Sequence, residues 1–159
     1  MSGAPQQLYA VLVALQSDTL LLPNLAVAEV VSLEGLRPVS GAPPWFAGLL
    51  PWQGRELPIA RFELFNNGAA EPPSRRTRIA VINSVSTRLS AGRYGILAEG
   101  YPHLVTLNRA ALRPAEARPQ DSELVLARVR VASQEALIPN LEKIEAEMAA
   151  VLSAVSVPA

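Results

Sequence analysis

The chain contains no cysteine, a single histidine (His103), a single lysine (Lys143) and only two aspartates, Asp18 and Asp121. Without cysteine there is no disulfide, no thiolate nucleophile and no zinc–thiolate centre. With one histidine, any Ser–His–Asp relay would have to pass through His103, and no G-x-S-x-G elbow presents a serine to it. Following Tyr101-Pro102, His103 reads as a loop residue. A metal centre lacks a second His or any Cys, and the carboxylates are scattered along the chain. Neither a G-x-x-x-x-G-K-[ST] nor a G-x-G-x-x-G segment occurs, so a phosphate cradle has no support. No cofactor and no catalytic centre are expected. Long apolar runs are missing too: none approaches the roughly 20 residues of a membrane-spanning helix. Leu8–Leu15 is apolar, but Met1–Gln7 carries no Lys or Arg and no small-residue cleavage site follows, so a cytoplasmic protein is expected.

What is present is a balanced, apolar-rich chain. Half of the 159 residues are hydrophobic, and fourteen basic and fourteen acidic residues cancel. Such a chain is folded rather than disordered. Its length suits one compact domain, or two very small barrels sharing a core. Zero net charge argues against a general polyanion binder. The one basic cluster, Arg75-Arg76-Thr77-Arg78, stands in a Pro-rich stretch without interleaved aromatics, and reads as a solvated loop or a protein contact. Twelve glutamates leave a carboxylate pair open as an enzymatic reading. Most of them fall in loops or in the last helix, where a solvated face is the expectation.

Along the chain, Leu8–Leu15 is apolar on both faces, as a strand buried between two layers is. Ser17-Asp18 turns it back into Thr19–Leu22, and Ala26–Leu33 is a further apolar stretch broken by Glu29 and Ser32. Trp45–Trp52, Gln53-Gly54 and Arg55–Phe65 predict a hairpin, with Pro58 marking an edge or a bulge in its second strand. Residues 66–78 collect Asn, Gly, Pro and charge and are expected to be a flexible loop. Five more short strands follow at Ile79–Val85, Tyr94–Glu99, Leu104–Leu107, Leu124–Val131 and Glu135–Pro139, with Pro102, Pro114 and Pro119 between them. Asn140 then caps a helix whose apolar positions are Leu141, Ile144, Met148, Val151 and Leu152, with Glu142, Glu145 and Glu147 on the opposite, solvated face. Residues 1–7 and 153–159 are expected to be tails. Many short strands and one late helix predict a mainly β fold of small barrels.

Two features stand out against this background. Glu29 lies inside an apolar strand, and Trp45, Phe46 and Trp52 place three of the eight aromatics beside a glycine-bearing turn. Aromatics beside Gly and Pro suit an anchoring surface, and an ordinary aromatic core equally.

The same stretch carries a resemblance. Leu25-Ala26-Val27-Ala28-Glu29-Val30, a Pro-rich loop and then Trp45–Ala60 resemble the V-x-E-[IV] strand and the F-[IV]-x-G-x-[IV]-N-[LW]-R-G hairpin of the CheW family of chemotaxis coupling proteins. Tyr94–Gly100, Leu104–Arg113 and Ala136–Ile144 continue it in the family's order, so it spans most of residues 8–152. The resemblance implies two small SH3-like β-barrels sharing a core, with a C-terminal helix, in one domain over 8–152. It implies a non-catalytic adaptor whose partners are the cytoplasmic tip of a chemoreceptor and the regulatory domain of a CheA-type histidine kinase. Recruitment to receptor arrays at the inner membrane would follow.

Carried over by position, the expected partner-binding residues are Val27, Glu29, Gly48 and Gln53, with Trp52 and Gly54 of the same turn. The chain departs from the family pattern in two places. Pro51-Trp52-Gln53-Gly54 lacks the arginine that would face Glu29, and Gln53 is expected to donate to it instead. Arg61-Phe62-Glu63 exchanges the family's two charges, which on a strand would share one face. Both departures resemble the divergent adaptors of pilus-linked chemosensory systems (ChpC- and PilI-like). The rival from another class is a small-ligand-binding β-barrel with Trp45 and Trp52 lining its pocket.

Overall fold

The structure, a computed structural model, describes residues 8–108 and 111–155. Its strands are β1 (Leu8–Ala14), β2 (Thr19–Pro23), β3 (Val27–Val31), β4 (Phe46–Trp52), β5 (Arg55–Ala60), β6 (Thr77–Asn83), β7 (Arg93–Glu99), β8 (His103–Leu107), β9 (Leu112–Ala115), β10 (Val125–Val131) and β11 (Gln134–Pro139). A single helical turn, α1 (Phe62–Phe65), follows β5, and α2 (Leu141–Ala154) closes the fold. They form a six-stranded sheet of order β8-β1-β2-β11-β10-β9 and a five-stranded sheet of order β3-β6-β7-β5-β4. Each sheet joins two antiparallel groups through one short parallel contact, Leu137 beside Leu20 in the first and Ile59-Ala60 beside Gly95-Ile96 in the second. The first barrel takes its strands from both ends of the chain, and the second is built wholly from the middle.

This arrangement explains the strands that carry apolar residues on both faces. In β1, Val11 and Val13 face a core shared by both sheets, while Ala10 and Leu12 face the interior of the first barrel. In β6, Ala80 and Ile82 join the shared core, while Ile79 and Val81 fill the second barrel. Strands β2 and β11 divide likewise, with Leu20, Leu22 and Leu137 in the shared core and Leu21 and Ala136 in the first barrel. Alternate residues of a strand point to opposite faces, so a strand between two cores needs both sets apolar. At Gly95 of β7 the second barrel is tight: a Cβ there would lie 2.5 Å from Ile59 Cδ1 and 2.6 Å from Ile79 Cγ2.

Several expectations are corrected. Residues 112–115 form a strand, β9, although Pro114 had been placed between strands. As the outer strand of its sheet, β9 tolerates proline opposite Val129. Pro58 is not at an edge, because β5 lies between β4 and β7. The pair is bulged instead, between Phe46 and Gly48 on β4. Leu49, opposite Pro58, spends its own N–H and C=O on Arg37 at 2.9 and 3.0 Å, so the missing proline N–H costs no ladder bond there. Strand β5 stops at Ala60 rather than reaching Phe65, so Arg61 and Glu63 do not share a strand face. The Arg61 guanidinium donates to the Glu71 carbonyl at 2.9 Å, and Glu63, which is buried, accepts from the Gln16 N–H at 2.8 Å. Thr77 and Arg78, expected in the connecting loop, open β6.

The last helix forms as its pattern demands. Asn140 Oδ1 accepts from the Lys143 N–H at 3.1 Å, and Ile144 and Met148 are fully buried against the shared core. Each such burial contributes roughly 1.5–3 kcal/mol. Glu145, however, is not on a solvated face. It is completely buried, accepting from the N–H groups of Val85 (2.7 Å) and Ser86 (2.9 Å) and from the Ser86 hydroxyl. Its carboxylate fastens α2 to the β6–β7 connection. Burial, reinforced by the nearby Glu145 charge, pushes the phenol of Tyr94 far above its ordinary range.

A second buried polar cluster organises the first barrel around Arg128, whose side chain is wholly enclosed. Asp121 receives its Nε and Nη2 at 2.8 and 2.7 Å, and Asp18 receives Nη1 and Nη2, both at 2.9 Å. Thus both aspartates of the chain clamp one guanidinium. Asn66, the first residue of the expected loop, is buried here, donating to Asp121 at 3.2 Å and accepting from Ser122 at 2.8 Å. The bonds from Arg128 hold the Asp121 carboxyl well below the usual carboxylate range against the opposing effect of burial, with help from the Arg118 N–H and the Asn66 amide.

Candidate functional site

The outer strands of the second barrel, β3 and β4, are not joined by a ladder. They are joined by a side chain. Trp52, the last residue of β4, donates its indole N–H to Glu29 of β3 at 2.6 Å. The contact depends on three local features. A register shift between Val27 and Glu29 bulges β3, leaving Ala28 and Glu29 exposed while Val27 packs half-buried on the shared core. The Trp52 ring lies half-buried against the second-barrel core with Leu33 and Leu36. Its other neighbour is Arg93, whose guanidinium stands 5.6 Å from the ring centroid. An indole donor to a carboxylate is charge-assisted, and its short length fits that class.

Beyond Trp52 the chain reverses through Gln53 (φ 48°) and Gly54 (φ 76°), with Trp52 paired to Arg55. Positive φ at both central residues is the type I′ geometry that matches strand twist. Glycine adopts it freely, whereas Gln53 adopts it against a steric penalty. Both residues are exposed at the tip of the hairpin. The bond expected between Gln53 and Glu29 is thus supplied by Trp52, one position earlier. A side chain inside β4 is directed across the seam; one at the tip of a tight turn is not.

Gly48 is buried and belongs to the scaffold of this region. A Cβ there would lie 2.2 Å from the Arg37 carbonyl oxygen and 2.8 Å from its carbon, at a φ of +146°. The Arg37–Pro38 backbone therefore lies directly on β4, paired to Leu49, and Arg37 makes an ion pair with Glu56 of β5. The seam thus gathers Glu29, Trp52, Gln53 and Gly54 near one another, flanked by Val27 and supported underneath by Gly48. Sequence reasoning missed Arg93 and Arg37. Neither carries a local signal, since Arg93 meets Trp52 only through the β6–β7–β5–β4 order of the sheet.

The two tryptophans do not line one pocket. Trp45 stacks on Phe65 with centroids 3.9 Å apart and planes 7° off parallel, against the shared core, whereas Trp52 belongs to the second-barrel core. An open groove of about 290 Å³ lies between Trp45, Pro43 and the last turns of α2 around Val151 and Val155. Trp52 is not among its walls. Among the described residues no three of His, Cys, Asp and Glu converge as metal ligands, and no helix is long and apolar enough to cross a membrane.

Comparison with known proteins agrees with this architecture. The solved structure of the scaffolding protein CheW from Thermoanaerobacter tengcongensis superposes with a TM-score of 0.71, covering 89% of each chain at 14% sequence identity. At that identity the likeness is one of fold. No curated protein sequence matches the chain. The family model of the CheW-like domain matches residues 10–147, from the third residue of β1 to the middle of α2. The protein therefore belongs to the CheW-like domain family.

Proposed function

We propose that this chain is a non-catalytic adaptor of a chemosensory array, joining the cytoplasmic tip of a chemoreceptor to the regulatory domain of a CheA-type histidine kinase. In this reading it is recruited from the cytoplasm to receptor arrays at the inner membrane, with residues 8–152 acting as one unit. Family membership supplies the class, and the β3–β4 seam is the single observation that supports a location for binding. At the seam two strand edges of the second barrel meet through an exposed side-chain bond. Glu29 there keeps a carboxylate oxygen beyond the one held by Trp52, and Gln53 and Gly54 project beside it. A cationic or amide donor on the partner can take that oxygen, while Val27 and Trp52 offer apolar area. Gly48 contributes by holding the Arg37–Pro38 segment against β4, which sets the shape of the surface.

Calorimetric titration of the purified chain against a receptor-tip fragment, and separately against a kinase regulatory domain, tests the assignment. Glu29→Ala is expected to weaken at least one of the two by about 1–3 kcal/mol, the usual cost of stranding a charged partner. Trp52→Phe, which removes the indole N–H that holds Glu29 across the seam, is expected to change the affinity for the same partner. Unchanged affinity for both partners in both variants would remove the seam from the functional surface.

A further inference from the structure

At the far end of β6 from Arg93 and Trp52, three arginines stand within four positions. Arg75 and Arg76 are exposed and Arg78 is half-buried at the start of the strand. Among the described residues none of the three is in an ion pair. Glu99, their neighbour across the ladder, is already engaged by the Thr77 hydroxyl at 2.9 Å. The turn that carries them is pinned. Ser74 N–H donates to Thr77 Oγ1 at 2.8 Å, Arg76 N–H to Ser74 Oγ at 3.1 Å, and Gly100 N–H to the Arg76 carbonyl at 2.7 Å. Unpaired cations on a fixed turn bind an anion without first losing backbone freedom.

The surroundings indicate what kind of anion fits. The Arg78 guanidinium lies 5.8 Å from the centre of the Tyr101 ring, and Tyr101 and Leu104 are 63% and 67% exposed. Strand β8, which opens two residues after Tyr101, pairs among the described residues only with β1, at one end of its sheet. Guanidinium groups beside the end strand of a sheet and exposed apolar side chains match a peptide better than a polyphosphate, since the peptide supplies backbone partners, carboxylates and aliphatic side chains together.

We propose that this corner is a second docking surface, which takes an extended acidic segment of a protein partner along β8 with its carboxylates on Arg75 and Arg76. Glu29 of the seam pairs with Val81 of β6, five residues along the chain from Arg76, so about 17 Å of strand separates the two surfaces. It stands whether or not the seam binds receptor or kinase, and it would let the scaffold hold two partners at once.

Fluorescence anisotropy with a labelled peptide alternating Glu and Val, read on the full chain, tests the proposal. A Lys–Val peptide and a single-stranded oligonucleotide of equal charge number serve as comparison probes. The Glu–Val peptide is expected to bind, and Arg75→Ala/Arg76→Ala to weaken it about tenfold or more. Raising salt from about 0.05 to about 0.3 M is expected to weaken it in the wild type. Glu29→Ala is expected to leave it unchanged, which separates this surface from the seam. Arg75→Gln/Arg76→Gln gives the same readout should the alanine variant fail to show a wild-type melting curve. Equal peptide affinity in the arginine variants, absence of peptide binding, or tighter binding of the oligonucleotide would each overturn the proposal.

Discussion

In the first barrel the β1–β2 turn, the β9–β10 connection and β10 are tied by a guanidinium sealed between two carboxylates, Arg128 between Asp18 and Asp121. In the second barrel the two outer strands are tied by one exposed indole–carboxylate bond, Trp52 to Glu29. The first device is out of water, so each member depends on the others; removing one strands the rest in a low-dielectric interior. The second is open to solvent, so water replaces whatever is taken away. A buried cluster fixes geometry, and an exposed bond can be exchanged for a partner's.

The largest expected effect is at the buried cluster. Arg128→Met should destabilise the chain by about 3–5 kcal/mol, because Asp121 loses its counter-ion and Asp18 keeps only Arg118, at 3.7 Å. Urea denaturation monitored by tryptophan fluorescence measures it, and a loss below about 1 kcal/mol would place this cluster with surface pairs.

Next comes the scaffold beneath the seam. Gly48→Ala should cost about 2–3 kcal/mol, because the new Cβ meets the Arg37 carbonyl and the φ is unfavourable for an L side chain. The same denaturation experiment reports it, and a wild-type midpoint would mean that the Arg37–Pro38 segment is free to lift away. Glu29→Ala should by contrast cost less than about 1 kcal/mol of stability, whatever it does to binding.

Acid sharpens the contrast. The Asp121 carboxyl lies below its ordinary value of 3.8 in the folded chain. A depressed folded value means that its contribution is fully present above the unfolded value and is lost as pH falls below it. The wild type should therefore lose stability on acidification through and below about pH 4 more steeply than Arg128→Met, in which the largest cause of that depression is gone. Parallel pH profiles for the two proteins would contradict the assignment.

The smallest expected effects are gains. Gln53→Asn, at a type I′ position, should stabilise the β4–β5 hairpin by about 0.5 kcal/mol. Ala132→Gly, at a φ of 56° in the β10–β11 turn, should add about 0.5–1 kcal/mol in the first barrel. Thermal melts of the two variants compare the strain carried by the two barrels.

Much of the fold was legible in the chain. Strand β1 announces its double burial by being apolar on both faces, and Asn140 with Ile144 and Met148 announces α2. The Gln53-Gly54 turn was legible as a hairpin. These signals are local: a period, a cap, or a residue without Cβ acts through neighbours a few positions away. Strand β9 was hidden because Pro114 argues against a strand until an edge position is known. The charges were hidden for a related reason. Glu145 looked solvated on its helix because the N–H groups it satisfies, on Val85 and Ser86, are about sixty residues away.

Composition and periodicity thus settled that this chain is a β-rich fold with doubly buried strands, a late helix and a tight hairpin beside Glu29. Tertiary structure alone decided which charges are sealed and which stay exposed. The hydrophobic pattern acts along the chain and survives any order of strands within a face. A hydrogen bond or ion pair has a reach of a few ångströms, so its partner is chosen only when β10 meets the β1–β2 turn, or β4 closes on β3.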